Sequence, residues 1–237
     1  MSESLRGAVV VVAGAGGGAG GAVVRQLATA GAVVVMADTA VDRLEPLAEE
    51  VAAAGGAAYG YAVDLLDDAA TTSWATSVAQ KFGRVDGVVH LVGGWRGGKG
   101  ITEADLADWE WLSDLLIRTV QHTSRAFHDA LLASPAGRFV LISAAAASRP
   151  TADNAAYAAA KAAAEAWTLA LAHSFRDSSA AATVLVVKAL LTPAMRAAKP
   201  EAKFSGYTDV SELATAIVGL WDKPASEVNG ERVWLTS

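Results

Sequence analysis

Tyr157 and Lys161 stand four residues apart in the stretch "AAYAAAK". On a helix that spacing puts both side chains on one face. An ammonium beside a phenol favours the phenolate, so the pair is expected to lower the tyrosine pKa and ready it for proton exchange near neutral pH. A second group with chemical potential is the loop Gly14-Ala15-Gly16-Gly17-Gly18-Ala19-Gly20-Gly21. Glycines let a backbone approach a pyrophosphate closely, and a helix opening just after the loop favours negative charge. The loop is so rich in glycine that several frames fit. Gly14-x-Gly16-x-x-Ala19, Gly16-x-Gly18-x-x-Gly21 and Gly14-x-x-x-Gly18-x-Gly20 are all present. Asp38 follows about twenty residues later, where a carboxylate accepts hydrogen bonds from ribose hydroxyls and repels a 2′-phosphate. Arg43 lies too far along to be a convincing phosphate partner. Asp64, followed by Leu65, is either an adenine-side contact or a cap for the next helix.

These residues need a frame, and the chain's alternation supplies one. Strands are expected at 8–13, 32–37, 58–63, 87–92, 138–142, 183–187 and 232–235. Helices are expected at 22–30, 41–54, 67–82, from a Thr102 cap to about 133, at 154–176, and from a Thr208 cap over 210–221. Continuous apolar runs such as "AVVVVA" belong to parallel strands buried on both faces. The pattern predicts an α/β fold, a Rossmann-like doubly wound parallel sheet of about seven strands with helices on both faces. No repeat or composition break marks a second domain, so residues 1–237 are expected to form one dinucleotide-binding domain. Ligands of such sheets sit at the carboxyl ends of the strands, which is where Asp38, Asp64, Gly93 and Ser143 fall.

Bulk properties exclude several classes. Net charge is −6, and no basic stripe suggests nucleic acid as a partner. Cysteine is absent, which rules out disulfides and thiolate chemistry and suits a reducing cytoplasm. No apolar run reaches the length of a membrane span, and the amino-terminal residues do not read as a signal peptide. His90, His122, His128 and His173 lack metal-ligand spacing, so no metal is expected, and His90 reads as a hydrogen-bonded core residue.

Together these parts resemble the short-chain dehydrogenase/reductase family over essentially the whole chain. The resemblance settles the glycine frame as Gly14-x-x-x-Gly18-Ala19-Gly20 and implies NADH as cofactor, selected by Asp38. It implies cofactor contacts from Gly16, Gly17, Asp64, Leu65, Gly93, Tyr157, Lys161, Leu190 and Thr192, and catalysis by Tyr157 and Lys161. It also implies a homodimer or homotetramer joined through the long alanine-rich helices. The departures are specific. Ala144 stands where the family has its catalytic serine, Leu116 where it has an asparagine, and Val187-Lys188 where it has Pro-Gly. Ser143 is adjacent but is expected to point to the other face. One subgroup shares the pattern: "GGWRGG", "AAYAAAKAA" and "TPAMRAAKPEAKFSGYT" look like segments of dihydropteridine reductase. That likeness implies reduction of a quinonoid dihydropterin, with Trp95 and Ala144 facing the substrate. Two other readings stand beside it: a general carbonyl/alcohol oxidoreductase that uses Ser143 or water, and a non-catalytic NAD(H)-binding regulatory module.

Overall fold

A computed structural model describes residues 3–235. The chain runs β1 (Val9–Ala13), α1 (Gly20–Thr29), β2 (Val33–Asp38), α2 (Glu45–Ala53), β3 (Ala57–Ala62), α3 (Asp68–Phe82) and β4 (Gly87–His90). It continues through α4 (Leu106–Ser113), α5 (Thr119–Ala133), β5 (Arg138–Ala144), α6 (Ala155–Ser174) and β6 (Ala181–Val187). The remainder is β7 (Leu190–Leu191), α7 (Pro193–Ala198), β8 (Thr208–Asp209), α8 (Val210–Val218), α9 (Ala225–Val228) and β9 (Arg232–Trp234).

Seven strands form one sheet in the order β3-β2-β1-β4-β5-β6-β9, and every pairing is parallel. The valine runs explain the layering. In β1, Val10 and Val12 face one core with Leu27 of α1 and Leu213 and Ile217 of α8. Val9 and Val11 face the other, with Val78 of α3, Phe127 of α5 and Leu171 of α6. Each such side chain, once buried, stabilises the fold by roughly 1.5–3 kcal/mol. Chain order reverses between β1 and β4, which leaves a crevice at their carboxyl ends. Ala13 is in register with Ala37 on one side and with His90 on the other. The loops after β1, β2 and β4 therefore start from one level.

Several boundaries differ from the sequence expectation. β4 ends at His90 instead of continuing to 92. Asp105, not Thr102, caps α4 by accepting the Ala107 N–H. The long helix is split by a π-helical turn at Asp114–Arg118, with Leu116 buried in it. Asp209 caps α8 in place of Thr208, because Thr208 pairs with Leu190 in the small β7-β8 sheet. Among the described residues no helix is long and apolar enough to cross a membrane.

Candidate active site

The glycine loop is tied down at its start. Gly14 and Ala15 donate their N–H groups to the Ala37 carbonyl at 2.8 and 3.1 Å. Gly14 has φ +78°, and a Cβ there would meet the Val92 nitrogen at 2.8 Å. At Gly20 a Cβ would come within 1.9 Å of the Ala15 carbonyl oxygen, so no other residue fits. At Gly21 it would meet mainly the flexible Arg25 side chain. Sterics thus single out the frame ending at Gly20. A Cβ on Gly18 would also press on the Thr192 methyl at 2.9 Å. No side chain caps α1 at Ala19; the Gly20 N–H turns back to the Gly17 carbonyl at 3.1 Å, and the positive end of the helix still favours an anion there. This bare, close-packed backbone fits a dinucleotide pyrophosphate.

Asp38 turns its carboxylate onto the loop. Its Oδ2 accepts the Gly16 N–H at 3.0 Å and its Oδ1 the Ala40 N–H at 3.3 Å. Arg43 is closer than its sequence position suggested. The 3-10 turn Val41–Arg43 brings its Cβ to 3.3 Å from where a Gly16 Cβ would stand. Asp64 is exposed and accepts the Leu66 N–H in a local turn. The cap of α3 is Asp67, through the Ala70 N–H. Leu65 is buried, and its carbonyl accepts from His122 Nδ1 of α5 at 2.9 Å.

The other end of the crevice opens into a cavity of about 360 Å³. It gathers Gly14, Gly17, Gly18 and Ala19 from the loop, residues 91–95 after β4, and residues 142–144 of β5. Tyr157 and Lys161 enter from α6, and residues 187–190 with Thr192 close the far side. The structure thus brings Gly93, Trp95, Ala144, Tyr157, Lys161, Leu190 and Thr192 together. Gly16, Gly20, Asp38, Asp64 and Leu65 lie outside that lining. Thr192 Oγ1 also caps α7, accepting the Met195 N–H at 3.2 Å.

The electrostatics correct one expectation. Burial raises the Tyr157 phenol above its ordinary value, whereas spacing alone suggested a lowered one. The Lys161 Nζ lies 6.0 Å from the Tyr157 ring centre and donates to the Ile142 carbonyl at 2.8 Å. Burial lowers the ammonium to about 8, with Glu165 pulling the other way. The phenol is therefore held protonated, as an acid must be. Ser143 is not free to replace the missing serine. It is 1% exposed, and its Oγ donates to Glu165 Oε1 at 2.6 Å. Glu165 Oε2 in turn accepts from Arg232 at 2.6 Å. Glu165 escaped the sequence reading, although its place four residues after Lys161 marks the same helix face. Trp95 is 59% exposed at the mouth of the cavity.

Comparison with known proteins agrees with this geometry. Residues 8–203 match the family model described as short chain dehydrogenase. A 7alpha-hydroxysteroid dehydrogenase of Escherichia coli is 26% identical over 213 residues, covering 86% of this chain and 83% of that protein. A metagenomic short-chain oxidoreductase solved in complex with NADP is 27% identical, with a TM-score of 0.80 and 98% of each chain covered. An NAD+-bound xylitol dehydrogenase is 20% identical with a TM-score of 0.86, covering 98% of each chain; at that identity it shares the fold.

Proposed function

Because the chain belongs to the short-chain dehydrogenase/reductase family, and is thus an oxidoreductase of nicotinamide dinucleotides, we propose that it reduces a quinonoid dihydropterin or a similar electron-poor ring with NADH. The observation that carries this reading is the meeting of Tyr157, Lys161, Ala144 and Trp95 in one cavity.

A ketone becoming an alkoxide gains roughly 3–4 kcal/mol from each preorganised donor at its oxygen. Here alanine and leucine occupy two catalytic positions of the family pattern, the serine's hydroxyl donor among the groups lost. An electron-poor ring tolerates that loss, because arriving charge spreads over ring nitrogen and oxygen. NADH, when bound, supplies the hydride. Tyr157 gives its hydroxyl proton to a ring nitrogen, and the two additions together reduce the ring by two electrons. Lys161 supplies the positive charge that steadies the phenolate left behind. The exposed indole of Trp95 offers a flat face for the ring. Asp38 supports NADH over NADPH by its charge, with Arg43 beside it as the opposing influence.

Purified protein with quinonoid dihydropterin should consume NADH, and Tyr157→Phe should lower kcat at least about hundredfold. Tight NADH binding without turnover rejects the reading. The hydroxysteroid dehydrogenase relative favours a second one, an alcohol/ketone oxidoreductase. In that case a steroid ketone panel should show turnover, and Ala144→Ser should raise it. For assembly we propose two or four copies joined through α5 and α6. A hollow between them, lined by Ser124, His128 and Trp167 among others, supports this. A monomer by light scattering sets it aside.

A further inference from the structure

His90 closes β4 with its ring on the face covered by α5 and α6, stacked near Phe139 with centroids 6.5 Å apart. It is 1% exposed. Its Nε2 lies 3.1 Å from Thr119 Oγ1. That hydroxyl gives its own proton to the Leu115 carbonyl at 2.7 Å, so it receives one from His90. Nε2 therefore carries the ring hydrogen, and Nδ1 holds a bare lone pair. Nδ1 has no hydrogen-bond partner among the described residues. A buried acceptor left in that state is costly and calls for an explanation.

Lys161 reaches the same face from α6. Its Nζ donates to the Ile142 carbonyl, and Ile142 follows Leu141, the register partner of His90. Ammonium and imidazole thus stand over neighbouring strands. Burial above all, and then the Lys161 charge, hold the imidazole down to about 3 and so neutral. Of the ammonium's three hydrogens, Ile142 takes one. The π-helical turn contributes nothing from its middle, because Leu116 is buried and apolar there. The path Leu115–Thr119–His90 is instead a polar link from that turn to the end of β4.

We propose that His90 is a positioning residue for Lys161, its Nδ1 accepting from one trapped water that in turn accepts an ammonium hydrogen, and so aiming the amine at the nicotinamide end of the cavity. The inference rests on the proposed roles of Tyr157 and Lys161, but its test requires no known substrate. The other titratable groups on this face of α6 are Tyr157 and Glu165, the latter held by Ser143 and Arg232.

The test is an NMR titration of the Lys161 side chain in the full-length protein with NADH bound. His90→Phe keeps an aromatic ring and removes the acceptor. Losing one hydrogen bond to a charged group should lower the Lys161 midpoint by about one pH unit. His90→Asn, which keeps an acceptor, should restore part of it. With any accepted substrate the alkaline limb of kcat should move down in step, while KM for NADH changes less than about threefold. Identical Lys161 midpoints in wild type and His90→Phe overturn the proposal. If His90→Phe does not fold, nitrogen-15 spectra of the wild-type imidazole decide. A neutral Nε2–H ring with a hydrogen-bonded Nδ1 is expected between about pH 6 and 9. An imidazolium or an Nδ1–H ring in that range overturns it. Lack of turnover with quinonoid dihydropterin removes that substrate alone, because the Lys161 midpoints are read without it.

Discussion

Burial lowers the Lys161 ammonium from 10.5 to about 8. Between those values the unfolded chain holds a proton that the folded chain has released. Stability therefore rises with pH across that window, and the full burden is carried below it. The burden is on the order of 3 kcal/mol. Lys161→Met should remove it at pH 7, less about 1 kcal/mol for the Ile142 carbonyl left without its donor. The thermal midpoint should rise by about 5 °C at pH 7, activity should vanish, and the gain should shrink toward pH 10. Thermal melts at the two pH values check this; an unchanged midpoint at pH 7 rejects the account of a costly buried charge. The pairing of Tyr157 with Lys161 was legible in the sequence, because four-residue spacing on a helix is a local property. The direction of the tyrosine shift was not, because burial is set by residues far away in the chain. Arg43 failed to be read for the same reason: a single 3-10 turn folds it back over Gly16.

At the scale of elements, valine-rich runs announced the strands because both faces of a parallel strand must be apolar. The caps were harder to read. Thr102 and Asp105 both suit a helix start, and only the folded loop shows which oxygen meets a free N–H. Asp105 Oδ1 accepts the Ala107 N–H at 2.9 Å. Asp105→Ala should therefore cost about 1 kcal/mol in urea unfolding, while Thr102→Ala should cost almost nothing. Equal effects would put the helix start elsewhere. The π-helical turn was invisible in the sequence. It inserts one residue's worth of slack, the Thr119 N–H reaching back to the Asp114 carbonyl. The Leu115 carbonyl is then satisfied by a threonine hydroxyl. Nothing in a string of helix-forming residues signals that exchange. The two-residue strands β7 and β8 were missed because they are too short to show any period.

Across the whole molecule the two edges of the sheet do different work. The carboxyl edge carries the cavity, and the amino edge is stitched together by Asp86, just before β4. Asp86 is 2% exposed. Its carboxylate accepts from the Val9 N–H at 2.9 Å, the Ser134 hydroxyl at 2.6 Å and two Arg84 nitrogens at 2.7 Å. Desolvation pushes its pKa up, but the hydrogen bonds from Arg84, Ser134 and Val9 outweigh it and hold the carboxyl below its ordinary value. A lowered carboxyl contributes stability that is present above the unfolded value and is lost as pH falls through the folded one. Asp86→Ala leaves the Val9 N–H and the Ser134 hydroxyl without their partner, while Arg84, about half exposed, returns to water. The expected cost is about 3 kcal/mol, or a thermal midpoint lower by roughly 6–10 °C. The gap to wild type should close under acid, where Asp86 is protonated in either state. Because Val9 begins β1 and Ala13 ends it, the lost contacts lie a full strand length from Gly14. Hydride transfer by the variant, measured well below its melting point, should therefore keep its wild-type kcat. A kcat that falls together with the midpoint would show that the glycine loop depends on how the opposite edge is held.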